Sequence, residues 1–367
     1  MRKVFLDHLK PGMVIKKPVL GFVGQVLLNA GVVVTAKQIY YLKQMGINAV
    51  YVEDERIGNA DVDDLIKIET RGDCRALVSK IMKDLDASGP LSKGLAIKEQ
   101  EVKNMASRIV NEITSNQDVL IQLSDIRAQD GYLFAHSVNC CVLATLVGVK
   151  MNYDQNTLIM LAIGALLHDI GFVEIPQMIL RKPGALSDNE YEAVKKHPEY
   201  GYDIFKKSKL FSQRIGEIIL QHHERNQGQG YPSGYKGKDV ASLARILAVV
   251  DVYDALTSEK AYRDAYPVHE AIEMMLSWGE ELFDLEVLNI FLESVSAYPI
   301  GSLVLLNNNE SGLVVDNSPG YSSQPVVRLL YKDGFTPHPS PFNLDLKKVD
   351  ELKITRLVCE SELPEHC

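Results

Sequence analysis

The chain has 367 residues, more than one typical hydrophobic core holds, so two or three domains are expected. Its 46% hydrophobic and 24% charged residues are ordinary globular values, and a net charge of -9 argues against binding a nucleic-acid polymer as the main task. Five cysteines without a CxxC pair, and no uninterrupted apolar stretch of about 18 residues, predict a cytoplasmic protein without membrane insertion.

Residues 1–53 predict a small N-terminal α+β domain. β-branched residues interrupted by glycine and proline between Val14 and Val34 are typical of short strands. The segment TAKQIYYLKQMGI predicts a helix, because it has a Thr35 cap, apolar residues at helical spacing and Gly46 at its end. A short strand, VYV, should follow, and the acidic and polar residues 54–64 predict a linker.

Residues 65–297 predict a helical domain, because apolar residues recur there three and four positions apart. Several of these helices are apolar nearly all round, which is typical of the centre of a helical bundle. Ser187 and Glu190 predict a capping box, and Pro198 predicts that the helix ends at His197.

Short β-branched runs separated by turns follow Pro299 and predict a small β-rich region over residues 298–367. The predicted fold class is therefore mainly α. A helical bundle should lie between a small α+β N-terminal domain and a small β C-terminal appendage.

Five of the nine histidines lie between residues 136 and 223, inside the central helical section. They are His136, His168, His197, His222 and His223. A single histidine on an apolar helix is more often a packed core residue, and Asp251 alone could pair with Arg245 or Arg263. Five imidazoles and the carboxylates of Asp169 and Asp251 cannot all lose water cheaply, and a metal centre removes that difficulty.

The ligand types and their spacing narrow the kind of metal site. Nitrogen and oxygen ligands without a thiolate favour iron, manganese or another first-row ion over structural zinc. The neighbours His168 and Asp169, like His222 and His223, point about 100° apart on a helix. That geometry suits two adjacent ions bridged by the carboxylate of Asp169. A two-metal centre indicates hydrolysis or oxygen chemistry.

A glycine-rich segment, HHERNQGQGYPSGYKGKDV, follows directly after two of these histidines. Its glycines let the backbone approach a ligand, although an ordinary surface loop is the alternative. Further on, Lys260 and Arg263 stand three apart and suit two phosphate oxygens, unless they form a solvated helix end. Together the two segments favour hydrolysis of a phosphate ester.

These residues resemble the HD-GYP family, a branch of the HD-domain phosphohydrolases, over roughly residues 100 to 297. The motifs that carry the resemblance stand in family order: His136, the His168–Asp169 doublet, IPQMILRKPGALSDNEYEAVKKHPEYG around His197, HHERNQGQGYP, and ARILAVVDVYDALTSEKAYR. The N-terminal stretch FLDHLKPGMVI resembles a small domain often found ahead of HD-GYP domains.

The resemblance implies an HD-type helical bundle that hydrolyses cyclic di-GMP to pGpG, and in some members on to GMP, by a metal-bridging hydroxide. One metal would bind His136, His168 and Asp251, and the other His197, His222 and His223. Asp169 would bridge both ions and act as the catalytic residue that orients the hydroxide. The substrate-binding residues would be Gly230, Tyr231, Pro232, Lys260 and Arg263.

Several positions depart from the family pattern. Phe172 stands where HD-x-x-K has its lysine, and loss of one such charge donor can cost about 10²–10³ in rate. Asn226 and Gln227 replace an aromatic–Asp pair, and Tyr132 replaces a glutamate that helps some members hold a third metal. Two divalent ions are therefore expected, with iron favoured and manganese or nickel as alternatives.

Three functions compete on these residues. The first is a phosphodiesterase of cyclic di-GMP, slow because of Phe172. The second is a catalytically weak or inactive cyclic di-GMP receptor, and the third is an HD-type phosphohydrolase of another nucleotide. Expected partners are cyclic di-GMP, a GGDEF-type diguanylate cyclase or another signalling protein, and a second copy of the chain in a homodimer.

Overall fold

The computed structural model describes most of the chain. The described residues are 1–21, 23–47, 49–54, 56, 64–88, 97–116, 132–182, 184–210, 212–258, 265–317, 323–333, 335–358 and 362. Most of the predicted linker, together with Lys260 and Arg263, lies outside them, as does the side chain of Tyr132.

The N-terminal region contains two small antiparallel sheets and one helix. Its elements are β1 (Arg2–Phe5), β2 (Val19–Leu20), β3 (Val26–Leu28), α1 (Ala36–Gln44) and β4 (Ala49–Val52). Strand β1 pairs with β4, and β2 with β3. Thr35 caps α1 in a capping box with Gln38, and Gly46 follows the helix at a φ of 69°. A separate hydrophobic cluster, which includes Ile15 and Val50, fills this region.

The central region is helical. Its helices are α2 (Ile68–Ala87), α3 (Glu99–Ser115), α4 (Tyr132–Lys150), α5 (Gln155–Leu167), α6 (Gln177–Leu180), α7 (Asp188–Val194), α8 (His197–Lys206), α9 (Gln213–Gln221), α10 (Ser242–Leu256), α11 (Val268–Leu282) and α12 (Leu285–Ser294). Helices α4, α5 and α10 are buried on nearly every side, as their apolar composition predicts. Helix α4 packs against α5 and α10, and both of these pack against α9, which brings their polar residues together inside the bundle.

One boundary prediction is wrong. The capping box of Ser187 and Glu190 opens α7, but α7 ends at Val194 and His197 opens the next helix instead of ending the previous one. Pro198 lies in the first turn of α8. The N–H groups of a first turn have no partner within the helix, so a proline is tolerated there. This boundary places His197 at a helix start that faces the end of α5.

The C-terminal region forms an antiparallel sheet. Its strands are β5 (Leu303–Leu306), β6 (Ser311–Asp316), β7 (Val326–Lys332), β8 (Thr336–Asp345) and β9 (Ile354–Leu357), in the order β8-β7-β6-β5-β9. Strand β8 contains Pro337, Pro339 and Pro341, which argue against a central strand. It lies at the edge of the sheet, where a missing N–H costs no ladder bond. The predicted mainly α fold with a β appendage is confirmed.

Two windows, Leu133–Lys150 and Gln155–Glu174, are long and apolar enough to cross a membrane by length and composition. However, 78% and 72% of their residues are buried inside the fold. Central helices of a bundle have this composition. Within the described residues the two windows are therefore weak evidence for a membrane span.

Candidate metal centre

The seven side chains predicted as metal ligands converge between five helices. His136 lies in α4 and Asp251 in α10, while His168 and Asp169 follow the last residue of α5. The remaining three are His197, which opens α8, and His222 and His223, which follow α9. Six of the seven side chains are buried, and His223 is half-buried.

These side chains form two groups of three. In what we term the first group, His136, His168 and Asp251 bring their donor atoms within 4.8 Å of one another. In the second group, the same holds for His197, His222 and His223. This division is the one that the family resemblance implies.

Asp169 lies between the two groups and directs one oxygen to each. Its Oδ2 lies 3.2 Å from Nε2 of His168 and 3.7 Å from Nε2 of His136. Its Oδ1 lies 3.4 Å from Nε2 of His197 and 3.9 Å from Nε2 of His222. A single carboxylate is thus positioned to bridge two ions.

Three of the histidines are oriented by helix ends. In each, Nδ1 lies 2.8 Å from the carbonyl oxygen three residues earlier, where a helix leaves its last carbonyls without partners. The pairs are His168 with Ala165, His197 with Val194, and His222 with Ile219. A carbonyl only accepts, so Nδ1 carries the proton and Nε2 keeps its lone pair for a metal.

Asp254 holds the fourth buried imidazole. Its Oδ2 accepts from Nδ1 of His136 at 2.7 Å, and its Oδ1 accepts from Nδ2 of Asn139 at 3.0 Å. The sequence interpretation missed this carboxylate. The sequence does contain a signal for it, because Asp254 follows Asp251 by three residues in the same apolar helix. This spacing places both aspartates on one face of the helix.

Burial and charge set the protonation of the centre. Burial lowers the pKa of His223 to about 3 and lowers the pKa of His197 and His222 as well. Burial raises the pKa of Asp169, but the neighbouring imidazoles, His168 first, outweigh burial and hold that pKa well below its usual range. These three imidazoles are therefore neutral beside an ionised carboxylate, the protonation states that bind metal. Burial lowers the pKa of His168, but the neighbouring carboxylate of Asp169 outweighs burial and raises it.

The residues present fit a metal centre. Nε2 of His168 is buried and makes no hydrogen bond to any described residue, although Asp169 is nearby. A buried ring nitrogen without a hydrogen bond is costly unless an ion binds it. The other donors around it are imidazole nitrogens and carboxylate oxygens, which suit iron, manganese and similar ions.

Cys140 lies one helical turn after His136, and its sulfur could be considered as a further ligand. Its Sγ lies 3.7 Å from Nδ1 and 3.8 Å from Nε2 of the His136 ring. This near equality places the sulfur beside the ring or over its face, not beyond Nε2 where an ion would bind. Burial raises the pKa of Cys140 to about 12, so the thiol is protonated and packs as an apolar group.

Two aromatic side chains contact the second group. Phe172, at the position of the family lysine, stacks on His197 with ring centroids 4.2 Å apart and an interplanar angle of 12°. Tyr231 lies 4.7 Å from the ring of His223. Phe172 thus lacks the positive charge of the family lysine, and it fixes the ring plane of the predicted ligand His197 instead.

The glycine-rich loop folds back onto the residues that follow α9. A Cβ on Gly230 would lie 2.4 Å from the backbone of His223 and Arg225, so only glycine fits this approach. The buried carboxylate of Glu224 accepts from the backbone N–H groups of Ser233 and Tyr235. These contacts place Gly230, Tyr231 and Pro232 beside the second group of ligands.

Asn226 and Gln227, which replace the family's aromatic–Asp pair, tie the loop to the end of α11. The backbone N–H of Asn226 donates to Leu282 O, and its side-chain amide donates to Glu280 O at 2.9 Å. Gly237 in turn donates to Asn226 O. These two positions therefore anchor the loop rather than face the ligand groups.

The predicted substrate contacts Lys260 and Arg263 lie outside the described residues. Lys195, which the sequence interpretation overlooked, is a cation near the centre. Its Nζ lies 5.9 Å from the ring centroid of Tyr231 and 5.5 Å from that of Tyr191. The alternative pairing of Asp251 with Arg245 does not occur, because Arg245 pairs with Asp284.

The helical region of this chain is similar to known proteins. A family model described as "HD domain" matches residues 94–287. A cyclic di-GMP phosphodiesterase of Pseudomonas aeruginosa is 32% identical over 238 residues, which cover 65% of this chain and 57% of that protein. The cyclic di-GMP phosphodiesterase response regulator RpfG of Xanthomonas campestris is 31% identical over 226 residues, covering 61% and 59%.

Among solved structures, an HDG"Y"P protein of Bdellovibrio bacteriovorus matches with a TM-score of 0.48 and 18% identity, covering 79% of this chain and 97% of that one. The chain belongs to the HD-domain family. The resemblance to HD-GYP phosphodiesterases found in the sequence is confirmed. The chain spans less than 60% of the length of the two curated relatives named above.

Proposed function

We propose that this protein is a metal-dependent phosphodiesterase that hydrolyses cyclic di-GMP to pGpG, with further hydrolysis to GMP as a variant of the same reaction. The main support is the position of Asp169, whose two oxygens each face a separate group of three predicted ligands. Relatives named as cyclic di-GMP phosphodiesterases support the substrate.

Two ions held by these ligands would lower the pKa of bound water and stabilise the charge that develops on the phosphate. The protein's own residues set up that chemistry. The carbonyls at the ends of α5, α7 and α9 hold three imidazoles with Nε2 directed inward. Asp169, with one oxygen toward each group, would hold both ions and orient the nucleophile.

Cyclic di-GMP carries two phosphates, which need positive charge once Phe172 has replaced the lysine. Lys260 and Arg263 remain candidates for this role. Lys195 is a third candidate, because it lies over Tyr231 beside the second group. Tyr231, with Gly230 and Pro232, would then form the wall against which the substrate rests.

Two ions are bound, with iron favoured by the nitrogen and oxygen ligand set and manganese or nickel as alternatives. The protein acts in the cytoplasm on a signal made by a GGDEF-type diguanylate cyclase, and residues 1–53, 65–297 and 298–367 serve as separate domains. A homodimer is the proposed assembly.

The test is product analysis on protein purified anaerobically and loaded with Fe²⁺ or Mn²⁺. Cyclic di-GMP should be converted to pGpG, with Asp169→Asn as the control that detects a contaminating nuclease. A panel of other cyclic and linear nucleotides separates this function from a phosphohydrolase of a different nucleotide. Metal-replete protein that binds cyclic di-GMP and leaves it uncut would overturn the proposal.

A receptor for cyclic di-GMP is the second candidate, and Phe172 favours it. The phenyl ring occupies the lysine position and stacks on His197, so the metal ligands persist while a charge donor is lost. Phe172→Lys restores that charge. If wild-type protein has no turnover and the variant has some, the receptor is supported. If wild-type protein cleaves cyclic di-GMP as fast as the variant does, the receptor is excluded.

A further inference from the structure

A chain of hydrogen bonds leads from the first group of ligands to α2, which contributes none of the predicted ligands. Nδ1 of His136 donates to Asp254 at 2.7 Å, and Asn139 donates to the other oxygen of Asp254 at 3.0 Å. Arg71 of α2 donates through Nη1 to the amide oxygen of Asn139 at 2.9 Å. All four side chains are buried, so each bond is made in a poorly solvated interior.

The direction of these bonds determines which nitrogen of His136 can bind a metal. A carboxylate at position 254 only accepts, so it keeps the proton on Nδ1 and leaves Nε2 with its lone pair. Nε2 lies 3.1 Å from Asp251, inside the first group. The amide of Asn139 must then donate to Asp254, and its oxygen is left to accept from Arg71. The direction of all three hydrogen bonds is thus fixed by the carboxylate of Asp254, which only accepts, and the guanidinium of Arg71, which only donates.

The helix at the far end of this series of hydrogen bonds, α2, contacts the N-terminal region. Gly72, the neighbour of Arg71 in α2, lies directly against Gly24. A Cβ on Gly72 would lie 2.9 Å from the carbonyl oxygen of Gly24, and a Cβ on Gly24 would lie 2.2 Å from that of Gly72. The two backbones therefore touch without a side chain between them, next to Arg71, where the series of hydrogen bonds ends.

We propose that Asp254, Asn139 and Arg71 are positioning residues that orient His136 toward a metal, and that contact between Gly24 and Gly72 links this metal site to the N-terminal region. The inference rests on the proposed metal centre but not on cleavage of cyclic di-GMP. It assigns a role in the metal site to α2. Movement of the N-terminal region against α2 would reach His136 through three hydrogen bonds.

The experiment titrates metal-free, full-length protein with Mn²⁺ and follows electron paramagnetic resonance. Wild-type protein should bind two ions and give a spin-coupled pair. Asp254→Asn keeps the shape of the side chain but has one acceptor oxygen instead of two, for donors that include His136 and Asn139. It should lower the affinity of the first group about 10–100-fold, a usual cost of losing such a supporting contact. The spectrum should then change to that of a single, uncoupled ion.

A double variant separates positioning from general damage. In Asn139→Asp combined with Asp254→Asn, the amide at position 254 can donate to the carboxylate at position 139. The oxygen of the amide at position 254 then accepts from Nδ1 of His136, while the carboxylate at position 139 still accepts from Arg71. The coupled spectrum should return, with at least about tenfold recovery of affinity. Wild-type affinity in Asp254→Asn, or loss of both ions without recovery in the double variant, would overturn the positioning role.

Gly72→Ala tests the link to the N-terminal region. Alanine is the better helix former, so α2 itself should not be weakened, while the new Cβ pushes against Gly24. The affinity of the first group should fall roughly 2- to 30-fold, and the second group should be unchanged. Lys83→Ala, on the exposed side of α2, is the control. If Gly72→Ala matches this control, the link is refuted. If wild-type protein binds two ions but cleaves no cyclic di-GMP, only the proposed phosphodiesterase activity is overturned, and the positioning role is not affected.

Discussion

Phe172 stacks nearly parallel on His197, with 4.2 Å between the two ring centroids. Such aromatic contacts contribute about 0.5–1.5 kcal/mol beyond the burial of area. Phe172→Leu keeps the apolar volume and removes the stack, so His197 should lose part of its fixed orientation. The affinity of the second group for Mn²⁺ should fall roughly 2- to 10-fold, measured by metal titration. Phe342→Leu, in strand β8, is the matched control, and equal affinities in both variants would contradict this role.

The metal-free protein should lose stability as the pH falls below the ordinary histidine pKa. Burial lowers the pKa of His197, His222 and His223, the last to about 3. Below about pH 6.5 the unfolded chain binds protons that the folded chain refuses, so the free energy of unfolding decreases. Each of these groups contributes up to about 1.4 kcal/mol per pH unit. The pKa of His168 is raised, so His168 is protonated in both states below that pH and leaves this slope unchanged.

Urea unfolding in the presence of a chelator at about pH 7, 6 and 5 measures this slope. His223→Ala removes one of the three groups, so its free energy of unfolding should depend less steeply on pH by about one proton. The comparison uses slopes, so a lower stability of the variant at neutral pH does not affect it. An unchanged slope would show that His223 is protonated in the folded protein.

The amide side chain of Asn226 should hold the glycine-rich loop against α11. It donates to Glu280 O, and the backbone carbonyl of Asn226 accepts from Gly237 N–H. Asn226→Ala should cost about 0.5–1 kcal/mol, because one hydrogen bond near the surface is lost. Hydrogen exchange at the Gly237 amide should become faster by the factor that corresponds to this loss of free energy. Gln227→Ala is the control, since Gln227 donates to Glu281 O through its backbone; equal exchange in both variants would refute the anchor.

The sequence was sufficient for the helical bundle and for the residues that converge inside it. Ionisable side chains that interrupt apolar helices are costly to bury, so His168 and Asp251 stand out against their neighbours. Asp254 did not stand out, because its role depends on which helix packs opposite α10. Arg71 is about 180 residues away along the chain, so no local pattern connects it to that carboxylate. The start of α8 at His197 was missed because Pro198 is compatible both with a helix end and with a first turn.

Lys195 should bind substrate phosphate in place of the lysine that Phe172 replaces. Its Nζ lies over Tyr231, which itself lies 4.7 Å from the ring of His223. Lys195 also pairs with Glu192 and is partly exposed, so its contribution to binding is moderated by solvent. Lys195→Met should weaken cyclic di-GMP binding roughly 2- to 5-fold, measured by calorimetry on the Mn²⁺-loaded protein.

Lys196→Met is a matched control for Lys195, because it removes the same charge from the neighbouring, exposed residue. If long-range attraction alone draws the anionic ligand, both variants should lose affinity equally, and added salt should abolish the difference from wild type. A direct contact instead makes Lys195→Met the weaker binder at every salt concentration. Equal affinities of the two variants would therefore remove Lys195 from the substrate site and leave the positive charge to Lys260 and Arg263.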